Sequence, residues 1–255
     1  MLRIVIITQD EPFYLAENID YLIKKIPENS KIVGCVLSEV SPFGKKETFM
    51  QKAFKTCNIF GYRFFFYYSF QYLISRISQN KKVDVVLRHY DIDRIKLQKQ
   101  INSQESVQII ESYKPDLLIS ILGNQIFKKP IINLAPKGCL NLHTALLPKY
   151  RGLMPTFWVL KNDEEYTGVS VFFVDEGIDS GPIVVQKTIK IGDMTQQELI
   201  KATKKIGMDA IVEAISIIEK GDIKLIENDP SKKTYYSFPT RKDVREFLAN
   251  GKKFF

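Results

Sequence analysis

CLNLHTALLPKYRG, residues 139–152, opens as a short apolar strand, but that strand carries an asparagine and a histidine two positions apart and leads into a Pro-Lys-Tyr-Arg-Gly run. Alternate residues of a strand project to the same face, so Asn141 and His143 share one. The chain has only 2 histidines in 255 residues. Burying polar side chains is costly unless something pairs with them, so the pair implies either a structural partner or a chemical task.

Working outward, RIVIIT (3–8), KIVGCVLS (31–38) and DLLISIL (116–122) are short β-branched or Leu-rich runs like CLNLH (139–143). Such runs predict buried parallel strands. The intervening AENIDYLIKKI (16–26) repeats apolar residues every three and four positions, and NSQESVQIIESY (102–113) begins with a serine that can cap a helix. Strands separated by helices of this length imply right-handed βαβ crossovers and an α/β, doubly wound, mostly parallel sheet, with a ligand crevice at the C-terminal strand ends. After the first strand stands ITQDEPFY (7–14) in place of GxGxxG, which argues against a dinucleotide cofactor.

Composition sets the outer bounds. With 255 residues and 45% hydrophobic content, the chain supports one large domain, or one domain with a small appendage. The opening apolar run meets Asp10 and Glu11 too soon for a signal peptide or a membrane span, and a cytoplasmic location is the expectation. Cys35, Cys57 and Cys139 are widely spaced, with no CxxC and no histidine at ligand spacing, which argues for buried thiols and against disulfides or a metal. A formal charge of +8 would attract a phosphate-bearing ligand, nucleic acid or an acidic surface, without choosing among them.

GYRFFFYYSFQYLISRI (61–77) is densely aromatic but too short to span a bilayer. A helix packed on the sheet or in a subunit contact is the favoured reading over a membrane or acceptor role. TQQELIKATKKIGMDAIVEAISIIEKG (195–221) predicts one long amphipathic helix, capped by Thr195 and stopped by Gly221. The basic tail, residues 231–255, is either a docking segment or part of an acceptor site. The expected organisation is a catalytic domain over 1–190, with a C-terminal helix and tail over 191–255 packed on the same domain.

Downstream of the opening stretch lies TGVSVFFVDEGIDSGPIVVQ (167–186), a strand, a Gly-punctuated loop carrying Asp175, Glu176 and Asp179, and a second strand. An amide donor, an imidazole and a carboxylate converging at one crevice suit a transition state that develops an oxyanion while an amine loses a proton. Nothing in the trio demands a covalent intermediate. On spacing alone, a core histidine satisfied by its neighbours and acids serving loop turns stay open beside this reading, and so does the choice among the three acids.

Asn141-Leu-His143 followed by LLPKYRG, with TGVS and DEGIDSGPI downstream, closely resembles the folate-dependent formyltransferase family, most strongly over residues 117–186. The resemblance implies a Rossmann-like domain that moves a formyl group from 10-formyltetrahydrofolate to an amine. It places Asn141, His143 and Asp179 on the family's catalytic Asn, His and Asp. It also matches LGNQIFKKP (122–130) to the loop laid against the pterin, so that Gln125, Ile126 and Phe127, with Val174 and Asp175 opposite, are the implied cofactor contacts. The polar pair Asn124-Gln125 and an extra residue depart from the family pattern there. Lys149 and Arg151, just past the strand, either hold an acceptor phosphate or belong to a solvated loop. The favoured acceptor is a small amine, a nucleotide-linked amino sugar first, with neither nucleic acid nor membrane as partner and a homodimer left open. The alternatives are a methionyl-tRNA formyltransferase lacking its large C-terminal domain, a formyltetrahydrofolate deformylase, and a non-catalytic folate- or partner-binding module.

Overall fold

In the computed structural model, whose described residues are 1–38, 48–77, 82–123 and 125–255, the apolar runs become strands within a residue or two of their expected limits. The strands are β1 (Leu2–Gln9), β2 (Ser30–Ser38), β3 (Arg94–Ile95), β4 (Leu117–Ile121), β5 (Cys139–His143), β6 (Arg151–Gly152), β7 (Tyr166–Phe173), β8 (Ile183–Lys190) and β9 (Tyr235–Tyr236). Seven of them form one sheet in the order β3-β2-β1-β4-β5-β7-β8, while β6 and β9 make a separate ladder. Pairing is parallel from β3 through β5 and antiparallel at β5–β7 and β7–β8. This is the doubly wound, mostly parallel sheet that the alternation of strand and helix implies. The strand order reverses between β1 and β4, which opens a crevice at their C-terminal ends.

Period-two alternation assigns each strand residue to one of two cores. Ile4, Ile6, Leu140 and Leu142 pack with α1 (Leu15–Lys25), α4 (Val83–His89) and α8 (Gln196–Lys220). Val5, Ile7 and Cys139 pack with α5 (Gln104–Glu111) and α6 (Lys129–Ile132) on the other face. Asn141 and His143 follow Cys139 in alternation and therefore point to that second side. The Thr195 capping box with Glu198 starts α8, and Gly221, at φ +76°, ends it in the left-handed conformation that glycine adopts without strain.

A third core joins Phe60, at the end of α2 (Phe49–Phe60), to Phe157 and Trp158 of α7 (Pro155–Lys161) and Phe247 of α9 (Arg241–Ala249). Phe254 belongs to it, and the backbone N–H groups of Gln196 and Gln197 donate to Lys253 O and Phe254 O at 2.9 and 3.0 Å. The basic tail thus docks on the start of α8. The aromatic run is a helix, α3 (Tyr62–Ile77), as expected. It rests on the tail and α8 rather than on the sheet: Tyr67 stacks on Phe255 at 3.9 Å and its hydroxyl donates to Gln197. The reason is that the tail offers aromatic partners while both sheet faces are already covered. Among the described residues, no helix is long and apolar enough to cross a membrane.

Cys35 and Cys139 are buried, and burial pushes their thiols up to about 12, whereas Cys57 is half-buried. A thiolate is the reactive form, so near pH 8 the buried pair holds roughly one part in ten thousand of it. Native-state labelling with a maleimide is expected to modify Cys57 first, with Cys35 and Cys139 following only on unfolding, as peptide mapping would show.

Candidate active site

β5 delivers Asn141 and His143 to the C-terminal edge of the sheet, and the loop after it turns back across the histidine. His143 is buried, and its Nε2 lies 2.7 Å from the carbonyl oxygen of Tyr150. A carbonyl only accepts, so Nε2 is the donor and the free ring nitrogen is Nδ1. Nδ1 stands 3.6 Å from Asp179 Oδ2, near enough for charge to matter and too far for a direct hydrogen bond. The same Oδ2 accepts from the backbone N–H of Gly152 at 2.8 Å. Gly152 sits at φ +96° with Tyr236 O against it, so a Cβ there would be both strained and obstructed.

The three acids of the downstream loop separate cleanly. Asp175 turns inward on its own loop, its Oδ1 accepting from Gly177 N–H at 3.0 Å and Ser180 Oγ at 2.5 Å. Glu176 reaches outward to Lys129 at 3.4 Å, both side chains exposed. Only Asp179 meets the histidine. Gly181 is obligatory beside it, because a Cβ would collide with the carbonyl oxygen of Phe173.

Behind the loop lies a residue that sequence reading missed. Asn228, buried, donates from Nδ2 to the carbonyls of Asp179 and Gly181, both at 2.9 Å, and accepts at Oδ1 from Arg151 Nη2 at 2.7 Å. Arg151 is therefore corrected: it is buried against Asn228, its Nε without a partner among the described residues, and is not presented to an acceptor phosphate. The cause is the β6–β9 ladder, where Arg151 N–H donates to Thr234 O and Leu153 N–H to Tyr236 O, both at 2.9 Å, drawing Arg151 under the tail. Lys149 stays exposed on the surface. Nothing in the periodicity of residues 228–236 marks them as part of the site.

In front of the trio is a cavity of about 360 Å³ at the ends of β1, β4 and β5, marked by Gln9, Ser120 and Asn141. Asn141 and Asp179 line it, with Ile126, Phe127, Phe172, Val174 and Ile178 as apolar walls and Tyr235 and Leu153 contributed from the tail ladder. Of the expected cofactor contacts, Gln125, Ile126, Phe127, Val174 and Asp175 all border it; Asn124 lies outside the described residues. Gln125 has a structural task as well, its Oε1 accepting from Ile101 N–H at 3.1 Å. Asn102 completes the clamp on this loop, donating to Ile126 O and accepting from Lys128 N–H, both at 2.8 Å. At the nearby start of α1, Glu11 accepts from the N–H groups of Phe13, Tyr14 and Leu15 and pairs with Lys204 at 3.2 Å.

The family model described as formyl transferase matches residues 71–215. Methionyl-tRNA formyltransferase of Kosmotoga olearia is 37% identical over 64% of this chain and 52% of its own length. That of Thermotoga maritima is 33% identical over 57% of this chain and 47% of its own. The chain thus spans about half the length of the curated relatives it matches. The fold is shared with glycinamide ribonucleotide transformylase 1 from Symbiobacterium toebii, at TM-score 0.63 and 17% identity over 89% of this chain and 92% of that one. It is shared too with a sugar N-formyltransferase from Shewanella, at TM-score 0.61 and 17% identity over 97% and 87% of the two chains. The chain belongs to the folate-dependent formyl transferase family, whose formyl donor is 10-formyltetrahydrofolate.

Proposed function

We infer that the protein transfers a formyl group from 10-formyltetrahydrofolate to the amine of a small acceptor, a nucleotide-linked amino sugar. The observation that carries this reading is that Asn141 and Asp179 line one cavity while His143 stands beside Asp179, its Nδ1 3.6 Å from Oδ2. The cavity fits a reduced folate in chemistry and size: its walls are apolar, its inner end is polar, and its volume is that of a small-molecule site. Ile126, Phe127 and Val174 would hold the ring, with Asp175 and the pinned backbone of the 125–128 loop at its edge.

The bound folate supplies an activated formyl carbon. The Asn141 carboxamide, and Nδ1 of His143 when it carries a proton, are the donors for the oxygen on which charge develops as an amine attacks. Asp179 is the acceptor for the amine proton, directly or through one water; as the oxygen re-forms its carbonyl, the bond from the formyl carbon to the folate nitrogen breaks and that nitrogen takes up the proton. The Tyr150 carbonyl holds the ring by Nε2, which leaves Nδ1, on the Asp179 side, as the free ring nitrogen.

One feature favours a small, ring-bearing acceptor. Tyr235 sets a half-exposed aromatic face beside the cavity, suited to stacking on a planar group. Glu11 already satisfies N–H groups at the start of α1 and carries the negative charge that a helix N-terminus favours, so the phosphates of a nucleotide-linked acceptor would be held elsewhere than at this helix end. A tRNA acceptor is the second reading, favoured by identity to methionyl-tRNA formyltransferases and by the charge of +8.

Calorimetry with 5-formyltetrahydrofolate is expected to show one site per chain, and absence of binding at millimolar ligand would remove the enzymatic reading. Turnover of 10-formyltetrahydrofolate should then require an added amine; equal turnover without one would indicate a deformylase. A gel shift selective for initiator over elongator tRNA, weakening steeply with salt, would promote the tRNA reading.

A further inference from the structure

α3, YRFFFYYSFQYLISRI, is apolar on nearly every side, yet among the described residues only one side is covered. Phe64, Tyr68 and Ser75 fall together on a helix of 3.6 residues per turn. This is the inward side: Phe64 stacks on Phe60 at 4.6 Å, Tyr68 meets Phe13 at 4.7 Å, and Ser75 is buried. Opposite lie Tyr62, Phe66, Phe70, Leu73 and Ile77, between 60 and 83% exposed. Their spacing of four, four, three and four keeps them within an arc of about 80°. A helix apolar all round is normally buried all round.

We propose that this stripe is the contact through which two copies of the chain associate, α3 against α3 about a twofold axis. The spacing is that of a seam along which a second helix packs. A twofold contact also requires one patch to be complementary to itself, which a continuous apolar stripe is. Its five side chains expose roughly 600 Å² of apolar surface, at the upper end of what a monomer tolerates. That is about three-quarters of the ~800 Å² that each partner contributes to a standard interface, the remainder coming from flanking polar atoms. An antiparallel pairing over the ~24 Å length of the helix sets Tyr62 of one copy near Ile77 of the other and gathers Phe66, Phe70 and Leu73 around the axis. A lipid surface fits less well, because interfacial helices rim their apolar face with cations. The sequence of α3 has two, Arg63 and Arg76.

No stripe residue lines the catalytic cavity, so the contact can be broken apart from the chemistry. Sedimentation velocity on the full chain is expected to give twice the chain mass of 29.5 kDa at concentrations above about 10 µM. The double variant Phe66→Glu/Phe70→Glu, and Leu73→Glu alone as the milder change, should raise the dimer dissociation constant at least about tenfold while melting temperature and 5-formyltetrahydrofolate binding hold. The single variant decides should the double one fail to fold. A wild-type chain that sediments as a monomer at about 100 µM overturns the proposal, as does a dimer that both variants leave unchanged. So does a monomer that co-sediments with phosphatidylcholine–phosphatidylglycerol vesicles and loses that binding in the variants.

Discussion

Replacing Asp179 by asparagine is expected to lower kcat by about a hundredfold to a thousandfold while 5-formyltetrahydrofolate affinity stays within a few-fold of wild type. The substitution keeps the size of the side chain, and its amide oxygen can still accept from Gly152 N–H, now 2.8 Å from Oδ2. It removes the charge that stands 3.6 Å from His143 Nδ1. The acceptor for the amine proton disappears with it, so the loss falls on the chemical step. Asp175→Asn retains the oxygen that accepts from Gly177 N–H and Ser180 Oγ, and Glu176→Gln releases only an exposed ion pair. Both should keep most of the turnover. Steady-state kinetics on the three variants, with calorimetry as the folding and binding control, decides the matter. An active Asp179→Asn beside an inactive Asp175→Asn would move the catalytic carboxylate to the other end of the loop.

The second large effect is expected at Asn228, which nothing about its surroundings in the chain marks as important. Asn228→Ala leaves the buried Arg151 guanidinium without its Oδ1 partner and frees the carbonyls of Asp179 and Gly181. Removing the partner of a buried charged donor costs roughly 2 to 4 kcal/mol, which lowers the melting temperature by roughly 5 to 10 °C. Turnover should fall as well, because the backbone of Asp179 loses its anchor. Asn228→Asp separates the two effects: it keeps an acceptor for Arg151 but sets a carboxylate against two carbonyls. Stability should recover in part while kcat stays low. A turnover defect that disappears in Asn228→Asp would mean that Asn228 acts only through Arg151, with no positioning of Asp179.

Much of the protein was legible in its sequence because the signals were local. Short apolar runs and a 3.6-residue period placed β1, β2, β4, β5, α1 and α8 within a residue or two, and Asn141 and His143 share a face because strand geometry permits nothing else. Thr195 and Gly221 bound α8 through capping chemistry that their immediate neighbours supply. The resemblance of two motifs led to the family. What the sequence left open depended on contacts between distant residues. Three acids lie within five positions, and the path of the loop, locked at Gly181 and tethered by Asn228, brings Asp179 alone to the histidine. Arg151 reads as a phosphate ligand by type and position, yet the β6–β9 ladder buries it on Asn228, 77 residues away. α3 reads as a helix, but only the folded chain shows that, among the described residues, the tail covers one side of it and leaves the other exposed. Periodicity reports which face of an element is apolar; what that face meets is decided by long-range packing, which no local pattern encodes.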